Sequence, residues 1–347
     1  MANVLSAPTA LQRLGVGAEL PGLIADLGAN PGALFAEVGL DHAAVGPDLR
    51  LPFPSLLHLL HRAAVVTGCE HLGVLCGLRF ELRHHGVIGD LMQSAPSLAQ
   101  ALEDFVTWQP GYSSGAIVYL HRAGPDHTLG YGIYTATAPG AEILYDTVVG
   151  VGVRLVQLLT RGAVGPVEVR LSRSAPPQGG AHARLLRVPV RFDQDCTGLI
   201  LDRRAMATPL PSASAERRRA VLDLIARQSR RPDVSHADRV RREIRRALLA
   251  GPPRMPAISA ALGFDARTLR RRLQAEGTSF NLLNDEVRLA VARELLDLTA
   301  LPIGDIANAT GFASASVFSE SFRRWTGQSA SSLRRDGQDL AQRHRPR

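Results

Sequence analysis

The stretch Ile258-Ser259-Ala260-Ala261-Leu262-Gly263-Phe264 recurs as Ile306-Ala307-Asn308-Ala309-Thr310-Gly311-Phe312, 48 residues further on. Beyond the Gly-Phe pair the offset becomes 49, so that Leu269 matches Phe318 and Leu273 matches Phe322. Each copy reads as a short helix, a turn at Gly and a second helix. A small residue, Ser259 or Ala307, lets the two helices cross closely. Gly263 and Gly311 can take the positive φ that a tight inter-helix turn needs. Apolar residues four apart anchor the inner face of the second helix. Its outer face can then lie in the DNA major groove, whose width admits an α-helix. One such pattern is a weak signal; two in register are a strong one.

The span between the copies agrees. Residues 279–299 place Phe280, Leu283, Val287, Ala290 or Val291, and Leu295 or Leu298 on one helical stripe. At 1.5 Å per residue this helix is about 30 Å long, against about 34 Å for one turn of B-DNA. It could hold two reading helices one turn apart on one face of a duplex. Charge points the same way. All 40 basic residues are Arg; residues 1–210 hold 15 Arg against 17 Asp and Glu, and residues 211–347 hold 25 against 15. The whole +8 therefore comes from the second part, which implies a polyanionic partner there.

Composition excludes other classes. A chain of 347 residues suggests about two domains, and 45% hydrophobic with 21% charged residues is ordinary globular usage. No apolar run approaches the roughly 18 residues that span a bilayer. Val148 to Leu159 comes closest and is interrupted by Arg154 and Gln157. Met1 to Leu20 lacks a basic region followed by a continuous apolar core, so neither a signal peptide nor a membrane partner is expected. Cys69, Cys76 and Cys196 are too few and too scattered for a disulfide framework, and no CxxC is present. The cytoplasm is the simplest compartment.

The first part mixes periods. Leu20 to Glu37, Pro54 to Val66, Leu91 to Ala95, Leu98 to Trp108 (N-capped by Ser97) and Ala141 to Thr160 read as helices. Ala116–His121, Thr128–Thr137, Val167–Leu171 and Val190–Phe192 read as strands. The best linker candidate is 209–214, rich in Pro and Ser. After it come only helices, at about 214–228, 236–249, 255–262, 266–275, 279–299, 303–310, 315–325 and 329–335. The expected fold class is an α+β N-terminal domain joined to an all-α C-terminal domain of two helix-turn-helix units linked by a long helix. The divisions are 1–210, a linker with helix at 211–238, the paired units at 239–336 (about 255–275, 279–299 and about 303–325), and a flexible basic tail at 337–347.

The motifs Leu262-Gly263-Phe264, Arg267-Thr268-Leu269-Arg270-Arg271-Arg272-Leu273, Glu276-Gly277-Thr278-Ser279-Phe280, Ala292-Arg293-Glu294-Leu295-Leu296, Ile303-Gly304-Asp305-Ile306-Ala307 and Phe322-Arg323-Arg324-Trp325-Thr326-Gly327 carry a resemblance. With them, residues 240–335 resemble the AraC/XylS-type DNA-binding domain of bacterial transcription regulators. Leu27-Gly28, Gly68, Gly73, Gly86-Val87-Ile88-Gly89 and Ser94-Ala95-Pro96-Ser97-Leu98 are similar, less specifically, to the arabinose-binding-type effector domain of ornithine-utilisation-type and VirS-type regulators.

That resemblance implies a sequence-specific, effector-responsive activator with no enzymatic activity, cofactor or metal. It implies a homodimer on a direct-repeat operator of double-stranded DNA, contact with RNA polymerase, and an unknown small-molecule effector. It points Arg267, Arg270 and Arg271 at base edges from the first reading helix, and Ser316, Ser319 and Glu320 from the second. Glu320 departs from the family, where a basic residue is common; it can accept from cytosine N4 or pair with Arg323 or Arg324. Arg272, Arg323 and Arg324 are the phosphate candidates. Ser259, Gly263, Phe264, Ala307, Gly311 and Phe312 build the turns.

For an effector, a pocket among aromatic residues is expected, with Arg79, Arg83, Tyr112 and Tyr131 as candidates. Phe80, Trp108, Tyr119, Tyr134 and Arg122 belong to the same set. His58, His61, Cys69 and His71 complete no metal-ligand spacing and read as structural or surface residues. The rival readings are a DNA-repair type enzyme fused to a DNA-binding module, which needs a reactive Cys, and a ligand-independent oligomerising DNA binder.

Overall fold

The computed structural model describes residues 11–109, 116–133, 138–177, 180–228 and 235–335. Two compact units part between Val221 and Leu222, inside a single helix.

The first unit opens with β1 (Leu11–Arg13), paired antiparallel to β2 (Arg50–Pro52) with Leu11 opposite Pro52. Between them lie α1 (Leu20–Asp26) and α2 (Pro31–Ala36). The single helix expected over Leu20 to Glu37 is broken at 27–30. Asn30 starts a new helix by accepting from Gly32 N at 2.9 Å, with Pro31 in its first turn. Four helices follow: α3 (Phe53–Thr67), α4 (Leu72–Leu78), α5 (Val87–Gln93) and α6 (Leu98–Trp108). Ser97 caps α6, its Oγ accepting from Gln100 N. Then come β3 (Ala116–Ala123), β4 (Asp126–Ile133), α7 (Ala141–Thr160), β5 (Glu168–Arg170), α8 (Gly180–Leu186), β6 (Val190–Arg191), β7 (Thr197–Leu201) and α9 (Arg203–Met206). The sheet order is β3-β4-β7-β5-β6. Its central strand, β7, is antiparallel to both β4 and β5 and buried at every residue. A strand hidden on both faces shows no alternation, and none was expected at 197–201.

The core centres on α7, which is long and apolar enough to cross a bilayer but is mostly buried, packed against α4, α3 and β7. It meets α4 at backbone contact. A Cβ on Gly77 would lie 2.3 Å from Thr147 O, and Gly150 lies against the Gly77 Cα. Behind this crossing Asp146 is buried with two partners. Arg173 Nη2 donates to its Oδ2 at 2.7 Å, and His182 Nε2 lies 3.0 Å from the same oxygen.

Residues 209–214 are not a loose tether. Ser97 and Pro209 form a β-bridge, Leu210 N donates to Pro96 O, and Ser214 N donates to Ser94 O. The next helix, α10 (Ala215–Gln228), starts on this unit. Arg218 donates from both Nη atoms to Asp104, whose carboxylate is only 5% exposed, and Arg217 reaches Asp90 at 2.7 Å. These two arginines anchor the start of α10.

Residues 235–335 contain helices and turns but no strand: α11 (His236–Ala250), α12 (Met255–Ala261), α13 (Ala266–Ala275), α14 (Phe280–Leu298), α15 (Ile303–Ala309), α16 (Ala315–Thr326) and a last turn at 330–335. Val240, Ile244 and Leu248 of α11 pack with Ile258, Leu269, Leu273, Leu283 and Val287. Farther along α14, Leu295 and Leu296 are buried, as are Ile306 of α15 and Phe318 and Phe322 of α16.

The α4–α7 crossing predicts that Gly77→Ala destabilises the first unit by about 1–3 kcal/mol, the usual range for overpacking. Gly46→Ala, where an added Cβ meets nothing within 4 Å, should leave the urea midpoint almost unchanged.

Candidate functional site

The two Gly-Phe turns of the second unit are built alike. Gly263 has φ +75° and Gly311 φ +73°. In one, Phe264 N donates to Ser259 O at 2.9 Å; in the other, Phe312 N donates to Ala307 O at 2.9 Å. These bonds take up carbonyls that a helix end leaves unpaired. Asp265 then caps α13, its Oδ1 accepting from Thr268 N at 2.7 Å. In the second turn the cap comes one residue later, at Ser314, whose Oγ accepts from Val317 N. Ala313 is the extra residue that changes the offset from 48 to 49.

Each turn phenylalanine carries a guanidinium. Arg272, from α13, sits 4.3 Å from the Phe264 ring centre, and Arg288, from α14, sits 4.6 Å from that of Phe312. Arg288 Nη2 also donates to Gly311 O at 3.2 Å, and Arg272 Nη1 lies 3.2 Å from His236 Nε2. Arg272, expected to meet phosphate, is held against the turn by these two contacts. Its place on the helix, flanking buried Leu269 and Leu273, folds it back onto the turn.

Arg267, Arg270 and Arg271 stand exposed on the opposite face of α13. At 100° per residue they span about 100° of the helix surface. Among the described residues no carboxylate pairs with any of them, whereas on α11 Arg241 pairs with Glu286 at 2.8 Å and Arg245 with Glu294. Glu276, at the end of α13, accepts from the His236 and Ala237 amides at 2.8 Å and so caps α11. On α16, Ser316 and Glu320 are exposed, and Ser319 donates its hydroxyl to Ala315 O at 2.7 Å. Glu320 has no ion-pair partner among the described residues. Arg324 lies 3.7 Å from Asp285 instead, and Arg323 is exposed. Val317, 48% exposed beside them, adds an apolar contact that the sequence reading did not single out.

The first unit holds a partly open apolar cavity of about 130 Å³. Leu56 and Leu60 of α3, Phe105 of α6, Tyr131 of β4 and Leu144 and Val148 of α7 line it, with Gln12, Arg13 and His85. Of the effector candidates only Tyr131 faces it. Arg79 is bound to Asp26 at 2.5 Å on the surface, and exposed Arg83 is bound to Glu81 at 2.6 Å. Nearby surface carboxylates hold both in water, where a guanidinium needs no desolvation. Tyr112 and Tyr134 lie outside the described residues. Arg13 was missed because its partners are distant in sequence: Asp48 at 2.6 Å and the His84 carbonyl. His85 stacks between Phe80 and Phe105, each 4.8 Å away, and burial pushes its pKa down to about 3. Burial pushes the Cys76 thiol up to about 12, which opposes the reactivity that the enzyme reading requires.

Two outcomes follow. Arg288→Ala should cost about 1–2 kcal/mol, the sum of a cation–π contact and a hydrogen bond. Arg288→Lys should recover less than half, because an ammonium cannot stack as a plane. Both are read by Trp325 fluorescence in urea, in a Trp108→Phe background. His85 binds its proton more weakly folded than unfolded, so its contribution is present above pH 6.5 and is lost as pH falls from 6.5 toward 3. His85→Phe should flatten that part of the stability–pH curve.

Residues 28–210 match the model of the arabinose-binding domain of AraC transcription regulators, N-terminal, and residues 258–336 match that of a helix-turn-helix domain. The chain is 26% identical over 329 residues to the ornithine utilization regulator of Pseudomonas aeruginosa, covering 90% of this chain and 93% of that protein. It is 25% identical to the HTH-type transcriptional regulator VirS of Mycobacterium tuberculosis, covering 91% and 94%. The crystal structure of transcriptional regulator CdpR from Pseudomonas aeruginosa aligns with a TM-score of 0.45 at 24% identity, covering 88% of this chain and 96% of that one. With more than half its length in the arabinose-binding-type domain and a helix-turn-helix domain after it, the chain belongs to the AraC family of DNA-binding transcription regulators.

Proposed function

We propose that the second unit reads double-stranded DNA through two helix-turn-helix units, α12–α13 and α15–α16, spaced by α14. The observation that carries this is the outward, unpaired set Arg267, Arg270 and Arg271, on a helix whose opposite face is locked by Leu269 and Leu273. Arginine bidentate to guanine is the commonest specific contact. Ser316, Ser319 and Glu320 would read a second half-site more loosely, with Val317 against a thymine methyl. Arg323 and Arg324 would meet phosphate.

Residues 1–210 form the effector and oligomerisation domain in this reading, 211–238 the link and 239–336 the DNA-binding domain. A homodimer would present four reading helices to a direct-repeat operator in the cytoplasm and act as an activator through RNA polymerase. The name of one relative makes ornithine a candidate effector to test. Phe105 lines the cavity, and its neighbour Asp104 holds Arg218 of α10, the helix in which the units part. A ligand that shifts α6 moves that anchor, and the response is a population shift.

Fluorescence anisotropy on operator DNA tests the assignment. Arg270→Ala and Arg271→Ala should each weaken binding roughly 5- to 150-fold, or about 1–3 kcal/mol, and relax preference at one or two bases. An equal loss on random DNA would reassign both to phosphate.

A further inference from the structure

We infer that the cavity of the first unit binds a neutral, mainly hydrocarbon molecule carrying one hydrogen-bond donor, of the class of monocyclic aromatic or short aliphatic alcohols. This rests on reading that unit as an effector domain and goes beyond it by assigning the ligand chemistry.

Size sets the first limit. The cavity measures about 130 Å³, close to the roughly 150 Å³ of an engineered apolar cavity in another protein that stays dry and takes up benzene. That is room for about six to eight non-hydrogen atoms. Its walls are Leu, Val, Phe and Gly for the most part, so filling it removes apolar ligand surface from water.

Charge sets the second limit. No Asp or Glu lines the cavity among the described residues. An ammonium entering it would lose its hydration with no counter-ion, at a cost of several kcal/mol. A carboxylate finds no better partner. Arg13 is the lining cation, and its guanidinium already holds Asp48 through Nε and Nη2 and the His84 carbonyl through Nη1. His85 is neutral at physiological pH, since burial lowers its pKa to about 3. Amino acids, diamines and simple acids are therefore disfavoured.

Gln12 offers a polar atom to the ligand. Gln12 lines the cavity; its Nε2 donates to Arg13 O at 2.8 Å, while its buried Oε1 has no hydrogen-bond partner among the described residues. A buried acceptor without a donor costs about 1–3 kcal/mol. A ligand hydroxyl placed against Oε1 relieves that cost, which selects an alcohol over the corresponding hydrocarbon.

The test uses the full chain, with thermal melting and titration calorimetry against benzyl alcohol, phenol, 1-hexanol, toluene, benzoate and ornithine at millimolar concentration. Binding of random duplex DNA at low salt is measured on the same samples. The alcohols should raise Tm in a saturable way, and benzyl alcohol should bind about 2- to 12-fold tighter than toluene, the range of one net hydrogen bond. Gln12→Leu should erase that preference, and Val151→Phe, which fills the cavity, should abolish both responses. If Val151→Phe does not fold, Gln12→Leu decides alone. Stabilisation by benzoate or ornithine above that by the alcohols overturns the inference. So does the absence of any alcohol response, or an alcohol preference unchanged in Gln12→Leu. Failure of DNA binding with the ligand response intact would count against the regulator reading of the second unit and leave the ligand assignment standing.

Discussion

A helix can hold arginines toward a polyanion only if something fixes where that helix begins and which way it rolls. In the second unit that constraint is the Gly-Phe turn. The positive φ of Gly263 and Gly311 lets the chain reverse within one residue, and the following amide bonds back to the small residue of the preceding helix. The phenylalanine is then pressed under a guanidinium, of Arg272 in one turn and Arg288 in the other. Two arginines in a basic region thus work as packing elements. Their planar face suits an aromatic ring as a lysine would not.

Net charge is a poor guide to which arginines meet DNA. Some arginines of the C-terminal part are paired within the fold, where α14 carboxylates meet Arg241 and Arg245 of α11. Arg217 and Arg218 tie the start of α10 to the first unit. On α13 the outward face is left without such partners. Exposed ion pairs contribute little stability. Their effect here is electrostatic: they offset the positive charge of Arg241 and Arg245.

The duplicated turns were legible because their determinants are local: a small residue, a glycine, an apolar pair four apart. The change of offset from 48 to 49 showed one extra residue after the second Gly-Phe pair, and the cap at Ser314 identifies it as Ala313. The α7 helix was legible for the same reason, its apolar residues recurring at helical spacing from Ala141 to Thr160. β7 was not, because a five-residue strand buried on both faces carries no period. The break between α1 and α2 was masked by apolar periodicity and shows only in the cap at Asn30. The cavity was the least legible part. Gln12, Arg13, His85 and Phe105 converge from separate elements, and Arg13 gains its partners 35 and 71 residues away. Arg79 and Arg83 attracted attention as cations, yet neighbouring carboxylates hold them at the surface.

The two halves of the molecule treat charge in opposite ways, and this bears on how one informs the other. In the second unit, the α13 arginines stand in water with no carboxylate partner among the described residues, so the proposed binding of DNA there should be sensitive to salt. In the first, the buried charges are paired internally: Arg13 with Asp48, Arg173 with Asp146, Arg218 with Asp104. A ligand entering the cavity cannot act by supplying a charge. It can act by filling space beside Phe105, and the rigid element that would transmit this is α6, whose Asp104 is buried against Arg218. A well-packed interior resists small displacements until it yields to another discrete arrangement. The Asp104–Arg218 pair is therefore the natural place for the first unit's state to be felt along α10.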